Sequence, residues 1–500
     1  MLFFHRKLYF DNNATTRVDK RVIKKMVRVL KKNYANPSSL YHTAFDCAQI
    51  LSESRKQIAE SINASDEEIV FTGSATEANN MVLKSLVEQF GGSKKKIISS
   101  PIEHPSIMQT LRYLEDKCGC LVEYLPVDNH GVVSPVDLES LIDSKTLLVV
   151  CMLANNEIGT VQNIKELTAI SREHDVYFLS DCVQALGKIP VDVQQLGVDY
   201  ATFSAHKIHG PKGVGALFVK KGCPVSSIIH GGHQENGLRA GTESTHNIAG
   251  FAEAAKLIED QIGRYNEVKP LATMLVQGLK QIFPAMIVNS SASDSLANTI
   301  SLTFPGHNNG VMLGMLNMYG ISVSAGSACN TTENTPSHVL TAIGLSADAA
   351  RETIRISLPD TTKKKDIKYA LKIFDHYFHN KALSVEMISP TQVDETFLSN
   401  ENVCMIDVRF NYERNGIKSF SNSSEYPFFS FRKHWKTIPK NKHIVLVCQM
   451  GINSPLIAYY LRSKGYKKVG FIATGMYGWW LSHPELRGRL TGINIKRIDD

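Results

Sequence analysis

The chain has 500 residues, 43% hydrophobic and 21% charged, too long for one ordinary domain and too apolar for the disordered or fibrous classes. Its net charge of +7 is spread over short runs such as Lys94-Lys95-Lys96 and Lys363-Lys364-Lys365. No basic stripe interleaves with aromatics, so direct nucleic-acid binding is not expected. No run of about 18 apolar residues predicts a membrane span, and Met1-Leu-Phe-Phe-His-Arg-Lys7 lacks the apolar core and cleavage site of a secretory signal. Nine irregularly spaced cysteines do not form a disulfide framework, which favours a reducing, cytoplasmic setting.

From about residue 65 to 220, short β-branched runs alternate with segments of helical spacing, the pattern of a mainly parallel sheet covered by helices. The strand candidates are 68–71, 96–99, 121–124, 147–151, 176–179, 199–203 and 214–219. Several of them end on polar clusters: Thr72-Gly-Ser-Ala-Thr-Glu77, Glu103-His104, Asn155-Asn156-Glu157, Asp181-Cys-Val-Gln184 and Ser204-Ala-His-Lys207. Ligands in parallel sheets bind beyond the carboxyl ends of strands, so these clusters are expected to share a site. Residues 247–283 have the spacing of one long amphipathic helix, leading into a mixed segment through about 380. A polar connector, Ile388-Ser-Pro-Thr-Gln392, precedes new strand-like runs at 403–408, 444–448 and 469–472. The organisation expected is α/β: a large domain over about 15–250, a small α+β domain over about 1–14 and 251–383, and a separate small α/β domain over 388–500.

Two residues stand out chemically. Lys207, in a Ser-x-His-Lys sequence after a strand, is placed to form a Schiff base with an aldehyde cofactor while Ser204 and His206 contact its phosphate. Cys329, among the small residues Ser324-Ala-Gly-Ser-Ala-Cys329, is a candidate nucleophile. Either alone is ambiguous, a surface lysine or an inert thiol. Together they suggest sulfur chemistry on pyridoxal phosphate.

The stretches Phe10-Asp-Asn-Asn-Ala-Thr-Thr16, Thr72-Gly-Ser-Ala-Thr-Glu77, Asn155-Asn-Glu-Ile-Gly159, Ser204-Ala-His-Lys207, Arg239-Ala-Gly-Thr242, Gly326-Ser-Ala-Cys329 and Ile354-Arg-Ile-Ser357 together resemble the NifS/IscS-like cysteine desulfurases. The resemblance covers about residues 8–380 and implies fold type I of the pyridoxal phosphate enzymes. It implies Lys207 as the Schiff-base lysine that also moves the substrate α-proton. Asp181 is implied as partner of the pyridinium nitrogen, His104 as the residue stacked on the ring, and Gln184 as partner of the ring hydroxyl oxygen. Ala75, Thr76, Ser204 and His206 are implied to hold the phosphate, joined by Thr242 from a second subunit, hence a homodimer. Asn155 is implied to contact both the cofactor and L-cysteine, and Arg355 to hold L-cysteine through its carboxylate. Cys329 is implied to take the sulfur as a persulfide, leaving alanine, and to pass it to an acceptor such as an iron–sulfur scaffold or a thiolation enzyme. An iron–sulfur metal contact at Cys329 is compatible with that role. Two departures are visible: Thr72-Gly73-Ser74 inverts the usual Ser-Gly order, and Asn236 stands where many relatives have arginine.

Ile406-Asp-Val-Arg409, Cys448-Gln-Met-Gly-Ile-Asn-Ser454 and Gly475-Met-Tyr-Gly-Trp479 resemble a rhodanese module. The resemblance implies Cys448 as a second persulfide carrier, at a loop opening a helix where backbone N–H groups favour an anion. Asn453 occupies a position where arginine often sits, and Asn415-Gly-Ile-Lys-Ser419 replaces the usual Gly-His-Ile-Pro-Gly segment. A docking domain with an inert cysteine is the other reading. For the whole chain, another fold-type-I lyase or aminotransferase and a non-catalytic sulfur-transfer scaffold stay open.

Overall fold

The computed structural model describes residues 7–90, 92–291, 294–326, 336–379, 385–415, 419–420, 422–451 and 453–484. After a two-residue strand β1 (Leu8–Tyr9), seven strands follow: β2 (Ile69–Thr72), β3 (Lys96–Ser99), β4 (Leu121–Tyr124), β5 (Thr146–Val150), β6 (Tyr177–Asp181), β7 (Tyr200–Ser204) and β8 (Gly215–Val219). They form one sheet in the order β2-β8-β7-β6-β5-β3-β4. It is parallel from β7 to β4, and β8 runs antiparallel to both its neighbours. Strands β5 and β7 are buried throughout, which explains their unbroken apolar runs: both faces are covered. Val70, Leu148 and Tyr200 point into one core with the helices Ala75–Phe90 and Pro105–Cys118. Phe71, Val149 and Phe203 point into the opposite core with the helices His42–Glu60 and Thr245–Ala255.

The helix expected over 247–283 is two helices, Thr245–Ala255 and Ile258–Ile282. Their apolar residues serve different cores: Ile248 and Phe251 face the large sheet, whereas Val268, Leu275 and Leu279 pack in the smaller domain. The break at Lys256 and Leu257 re-aims the stripe. The smaller domain is built on β9 (Ile287–Val288), β10 (Thr299–Thr303), β11 (Ile321–Ser322) and β12 (Thr353–Ser357). There β12-β10-β9 is antiparallel and β1 pairs with β11 in parallel.

The C-terminal part is a five-stranded parallel sheet of order β13-β17-β16-β14-β15, from β13 (Glu386–Ile388), β14 (Val403–Asp407), β15 (Ser424–Glu425), β16 (His443–Val447) and β17 (Val469–Ile472). The connector expected from Ile388 begins later: Ile388 is buried at the end of β13, and Ser389 and Gln392 close a capping box over Pro390–Gln392. A three-residue edge strand is too short to show alternation in the sequence. The helix Ser454–Ser463 packs on the helix Asn309–Met318 of the smaller domain. A single apolar cluster runs across this junction, joining Met312 and Leu316 to Leu456, Ile457 and Tyr460.

Candidate active site

Lys207 ends a turn, Ala205–Lys207, that begins where β7 stops. Its Nζ donates to the carbonyls of Asn13 at 2.5 Å and Ala14 at 2.9 Å. The neighbouring strand β6 ends on Asp181, buried, whose carboxylate accepts from Asn79 Nδ2 at 3.2 Å and the Val183 amide at 2.9 Å. Asn79 is itself held by the Thr202 hydroxyl at 2.8 Å. Asp181 therefore has its orientation set by two donors and retains acceptor capacity.

His104 caps the helix Pro105–Cys118, with Nδ1 meeting the Ser106 amide at 3.1 Å and hydroxyl at 2.8 Å. Burial lowers its pKa, with Lys207 and His338 adding to the effect and Asp181 opposing it, so the ring is neutral at pH 7. His206 is pushed down to about 4 by burial and by the charge of Lys207. Its Nδ1 lies 3.1 Å from the Thr15 hydroxyl, and its carbonyl accepts from the Thr16 amide and hydroxyl. Ala75 and Thr76 open the helix Ala75–Phe90, where the first amides have no intrahelical partner and face an anion favourably. Thr76 and His104 line one cleft. The inverted Thr72-Gly73-Ser74 sequence still builds this terminus: the Ser74 hydroxyl accepts from the Glu77 amide, and Thr72 Oγ1 donates to the Ser74 carbonyl.

Arg355, on β12 and buried, reaches the site from the smaller domain. It pairs with Asp11 at 2.7 Å and donates to the Asn156 carbonyl at 3.0 Å, and its buried Nε has no partner among the described residues. Asn155 is fully buried and its amide is committed to the Ile102 carbonyl and to the amides of Glu157 and Ile158. Its side chain builds the turn that aims the Asn156 carbonyl at Arg355. Gln184 donates to the Asn13 carbonyl at 3.0 Å. Thr242 is exposed, on a segment lining a small cavity beside Thr72 and Gly73. Asn236 adopts a left-handed φ of 56°, which asparagine tolerates better than most residues; next to it, buried Glu235 is clamped by Arg55 through two bonds of 2.7 Å.

Cys329 lies outside the described residues. Its flanks are tied to the site: Ser337 donates to Glu157 at 2.6 Å, and His338 Nε2 meets the Glu103 carbonyl at 2.8 Å. Several residues that sequence reasoning missed support these groups. Asn13 gathers Lys207 and Gln184 on its carbonyl, and fully buried Glu103, bonded by the Ser100 hydroxyl and the Met152 amide, has its pKa raised to about 8 by burial. Polar residues inside the quoted motifs were the available signal for both.

In the C-terminal domain, Cys448 follows β16. Its buried Sγ accepts from the amides of Asn453 at 3.2 Å and Ser454 at 3.3 Å, with the Ser454 hydroxyl at 3.3 Å. Two glycines make the loop possible. A Cβ on Gly475 would lie 2.3 Å from the Cys448 carbonyl oxygen, and one on Gly451 would lie 2.7 Å from the Thr474 amide. Arg409 is fully buried against Asp407 and reaches Gln449 at 3.3 Å. Asn453 contributes its backbone here, so its identity matters less than its position. Ser419, from the substituted segment, hydrogen-bonds Asp407 and Arg409; residues 416–418 lie outside the described residues. A cavity of about 420 Å³ at the domain junction is lined by Ala325 and Ser337, either side of the Cys329 segment, and by Met450 and Gly451 beside Cys448.

The family model for class-V aminotransferases matches residues 8–370, and that for the rhodanese-like domain matches residues 389–482. The chain is 39% identical over 374 residues to the cysteine desulfurase IscS of Dictyoglomus turgidum, covering 74% of this chain and 94% of that protein. It is 38% identical over 370 residues to the cysteine desulfurase IscS of Methanosarcina thermophila, covering 74% and 91%. A solved NifS-like protein superposes with a TM-score of 0.70 at 39% identity, over 74% of this chain and 99% of that one. SspA in complex with cysteine superposes at 0.62 and 35%, over 71% and 100%. Enzymes of this class depend on pyridoxal phosphate. The groups gathered at the carboxyl ends of β6 and β7 sit on the fold of that class, and the chain belongs to the cysteine desulfurase family, with a rhodanese-like domain on its C-terminal side.

Proposed function

We propose that the chain takes sulfur from L-cysteine as a persulfide on Cys329, releases L-alanine, and passes the sulfur to acceptors through Cys448. The observation that carries this is the convergence of Lys207, Asp181, His104 and Arg355 from separate strands and helices on one site. These residues fit pyridoxal phosphate: a buried carboxylate with spare acceptor capacity for a ring N–H, an open helix N-terminus for a phosphate, and a lysine between them. Bound there, the cofactor supplies an electron sink for the substrate's carbon frame.

The chain's own residues do the rest. Asp181 would hold the ring nitrogen, His104 the ring face and Gln184 the ring hydroxyl oxygen. The amides of Ala75 and Thr76, with Ser204 and His206, would hold the phosphate, and Thr242 would complete that site from a second subunit. A homodimer is supported by exposed apolar side chains close together in the sequence, Tyr34, Leu40, Tyr41 and Phe45, with Leu40 90% exposed. Arg355 exchanges Asp11 for the substrate carboxylate and gains a bond at Nε, while Asn155 holds the wall beside it. Lys207 moves the substrate α-proton. The Cys329 thiolate attacks the substrate sulfur: an S–S bond forms, the C–S bond breaks, and the carbon is protonated to give alanine.

The Cys448 thiolate then attacks the outer sulfur of the Cys329 persulfide: a new S–S bond forms, the old one breaks and Cys329 leaves as its thiolate, and the two-amide cradle at Cys448 suits an anionic sulfur. The cavity lined by Ala325 and Ser337 on one side and by Met450 and Gly451 on the other supports transfer within one chain, where tethering raises the effective concentration. We take the chain as a desulfurase unit over 1–383 and a rhodanese-like unit over 388–500, acting in the cytoplasm. No helix among the described residues is long and apolar enough to cross a membrane. The final acceptor is an iron–sulfur scaffold or a thiolation enzyme, with any cluster contact at Cys329 made by cargo in transit.

The test is the visible absorbance of the purified, cofactor-supplemented protein, with sulfide and alanine assayed from L-cysteine for wild type, Lys207→Ala and Cys329→Ala. The expected result is a visible band absent from the lysine variant and sulfide release lost in both. Alanine formation that survives without Cys329 would indicate another lyase, and a folded protein without the band would indicate a scaffold.

A further inference from the structure

Lys188 is a buried lysine that no step above uses. It lies in the turn after β6, 5% exposed, and its Nζ donates to Gln184 Oε1 at 2.5 Å and Asn13 Oδ1 at 3.1 Å. Neither partner is a carboxylate. Burial, reinforced by the positive charges of Lys207 and Arg355, drives its pKa well below the usual lysine value, and its N–H groups are spent on two amide oxygens. A side chain of this length is rarely buried unless something requires its donors.

Both acceptors lead to the site. A primary amide is nearly symmetric in shape, and which end is oxygen is decided by its partners. At Gln184 the choice is settled from both ends: the Asn13 carbonyl, which can only accept, takes Nε2, and the Lys188 amine holds Oε1. Asn13 is saturated in the same way. Its Oδ1 takes Lys188 and Asn298, its Nδ2 donates to Thr299 and the Asn156 carbonyl, and its own carbonyl receives Gln184 and Lys207.

We propose that Lys188 is a positioning residue that locks Gln184 as a hydrogen-bond donor toward the cofactor's ring hydroxyl oxygen and fixes the Asn13 backbone that receives Lys207. This rests on the assignment of Gln184 to that oxygen. A donor there stabilises the ionised ring oxygen, so its loss shifts bound cofactor from its visible-absorbing form toward its near-ultraviolet form. Without Lys188 the amide is held only at Nε2 by the Asn13 carbonyl, its Oε1 is left unpartnered, and the N–H is presented to the ring oxygen less firmly.

The experiment compares absorbance spectra, without substrate, of folded wild type, Lys188→Met, Gln184→Ala and the double variant, each titrated with pyridoxal phosphate. Lys188→Met is expected to lower the ratio of visible to near-ultraviolet absorbance by about threefold to tenfold, the worth of one hydrogen bond. It is expected to add nothing further in the Gln184→Ala background. If Lys188→Met is not recovered folded, Lys188→Gln, whose amide sits on a shorter stem, takes its place with the same non-additivity expected. A changed spectrum in Gln184→Ala with an unchanged one in the folded Lys188 variant overturns the positioning role alone. An unchanged Gln184→Ala spectrum overturns the assignment of Gln184 itself and the proposal with it. Effects that simply add would show that Lys188 acts by general packing, which also overturns it.

Discussion

The two sulfur-handling regions of this chain are built by opposite means. The desulfurase site is an assembly of side chains drawn from residues 13 to 355, delivered by strands β6, β7 and β12 and by two helix N-termini. The Cys448 site is a single loop, in which backbone amides from Asn453 and Ser454 do the binding and glycines make the room. A site of the first kind is broken by removing a side chain. One of the second kind is broken by adding a Cβ, and tolerates changes such as Asn453 for arginine because the side chain is not the donor.

Four measurements would sharpen or break that contrast. Lys207→Ala should lower sulfide release from L-cysteine by about 10³-fold or more, the scale of a lost general acid–base, while leaving the melting of the C-terminal domain in place. A variant with residual turnover near wild type would mean the lysine is not the proton carrier. Arg355→Lys comes next. Losing a bidentate fork on a buried carboxylate costs about 2–3 kcal/mol, so kcat/KM should fall about 10²-fold, mostly through KM. A pure kcat effect would place the substrate carboxylate elsewhere.

Gly475→Ala tests the other site. With a Cβ placed 2.3 Å from the Cys448 carbonyl oxygen at φ 64°, the C-terminal domain should lose about 1–3 kcal/mol of stability. Alanine formation should be unchanged while persulfide accumulation on Cys448, read by mass spectrometry, falls. Equal persulfide loading in Gly475→Ala and wild type would show that the loop geometry is not what holds the sulfur.

The smallest effect concerns pH. His206 has a folded pKa near 4 against an unfolded value of 6.5, so the unfolded chain binds more protons between those values. Its contribution to stability is full above pH 6.5 and is lost as pH falls toward about 4. The melting temperature of wild type should therefore drop more steeply across that window than that of His206→Gln. Parallel curves would mean that the ring is not desolvated as the structure has it.

How much was legible in the sequence follows the same division. Lys207, Asp181 and His104 sit in short polar clusters at the ends of apolar strands, and a strand end is visible as a change from β-branched to polar residues. The Cys448 loop was legible for the same reason. Asn155 was legible as a site residue, but its commitment to backbone partners was not, because hydrogen bonds to Ile102 and Ile158 depend on a turn whose closure leaves no compositional trace. The single helix read over 247–283 failed because periodicity reports that a stripe exists, not which of two cores it serves.

The sequence by itself determined the order of strands and helices, the chemistry available at each strand end and the presence of a second module after residue 384, since these depend on local periodicity and residue type. Only the tertiary structure decided which of those groups meet. Lys188 reads as one more lysine until the fold buries it against Gln184 and Asn13, residues four and 175 positions away. Long-range packing brings Asn13 to the lysine and buries it, and nothing in the local pattern around residue 188 encodes that meeting.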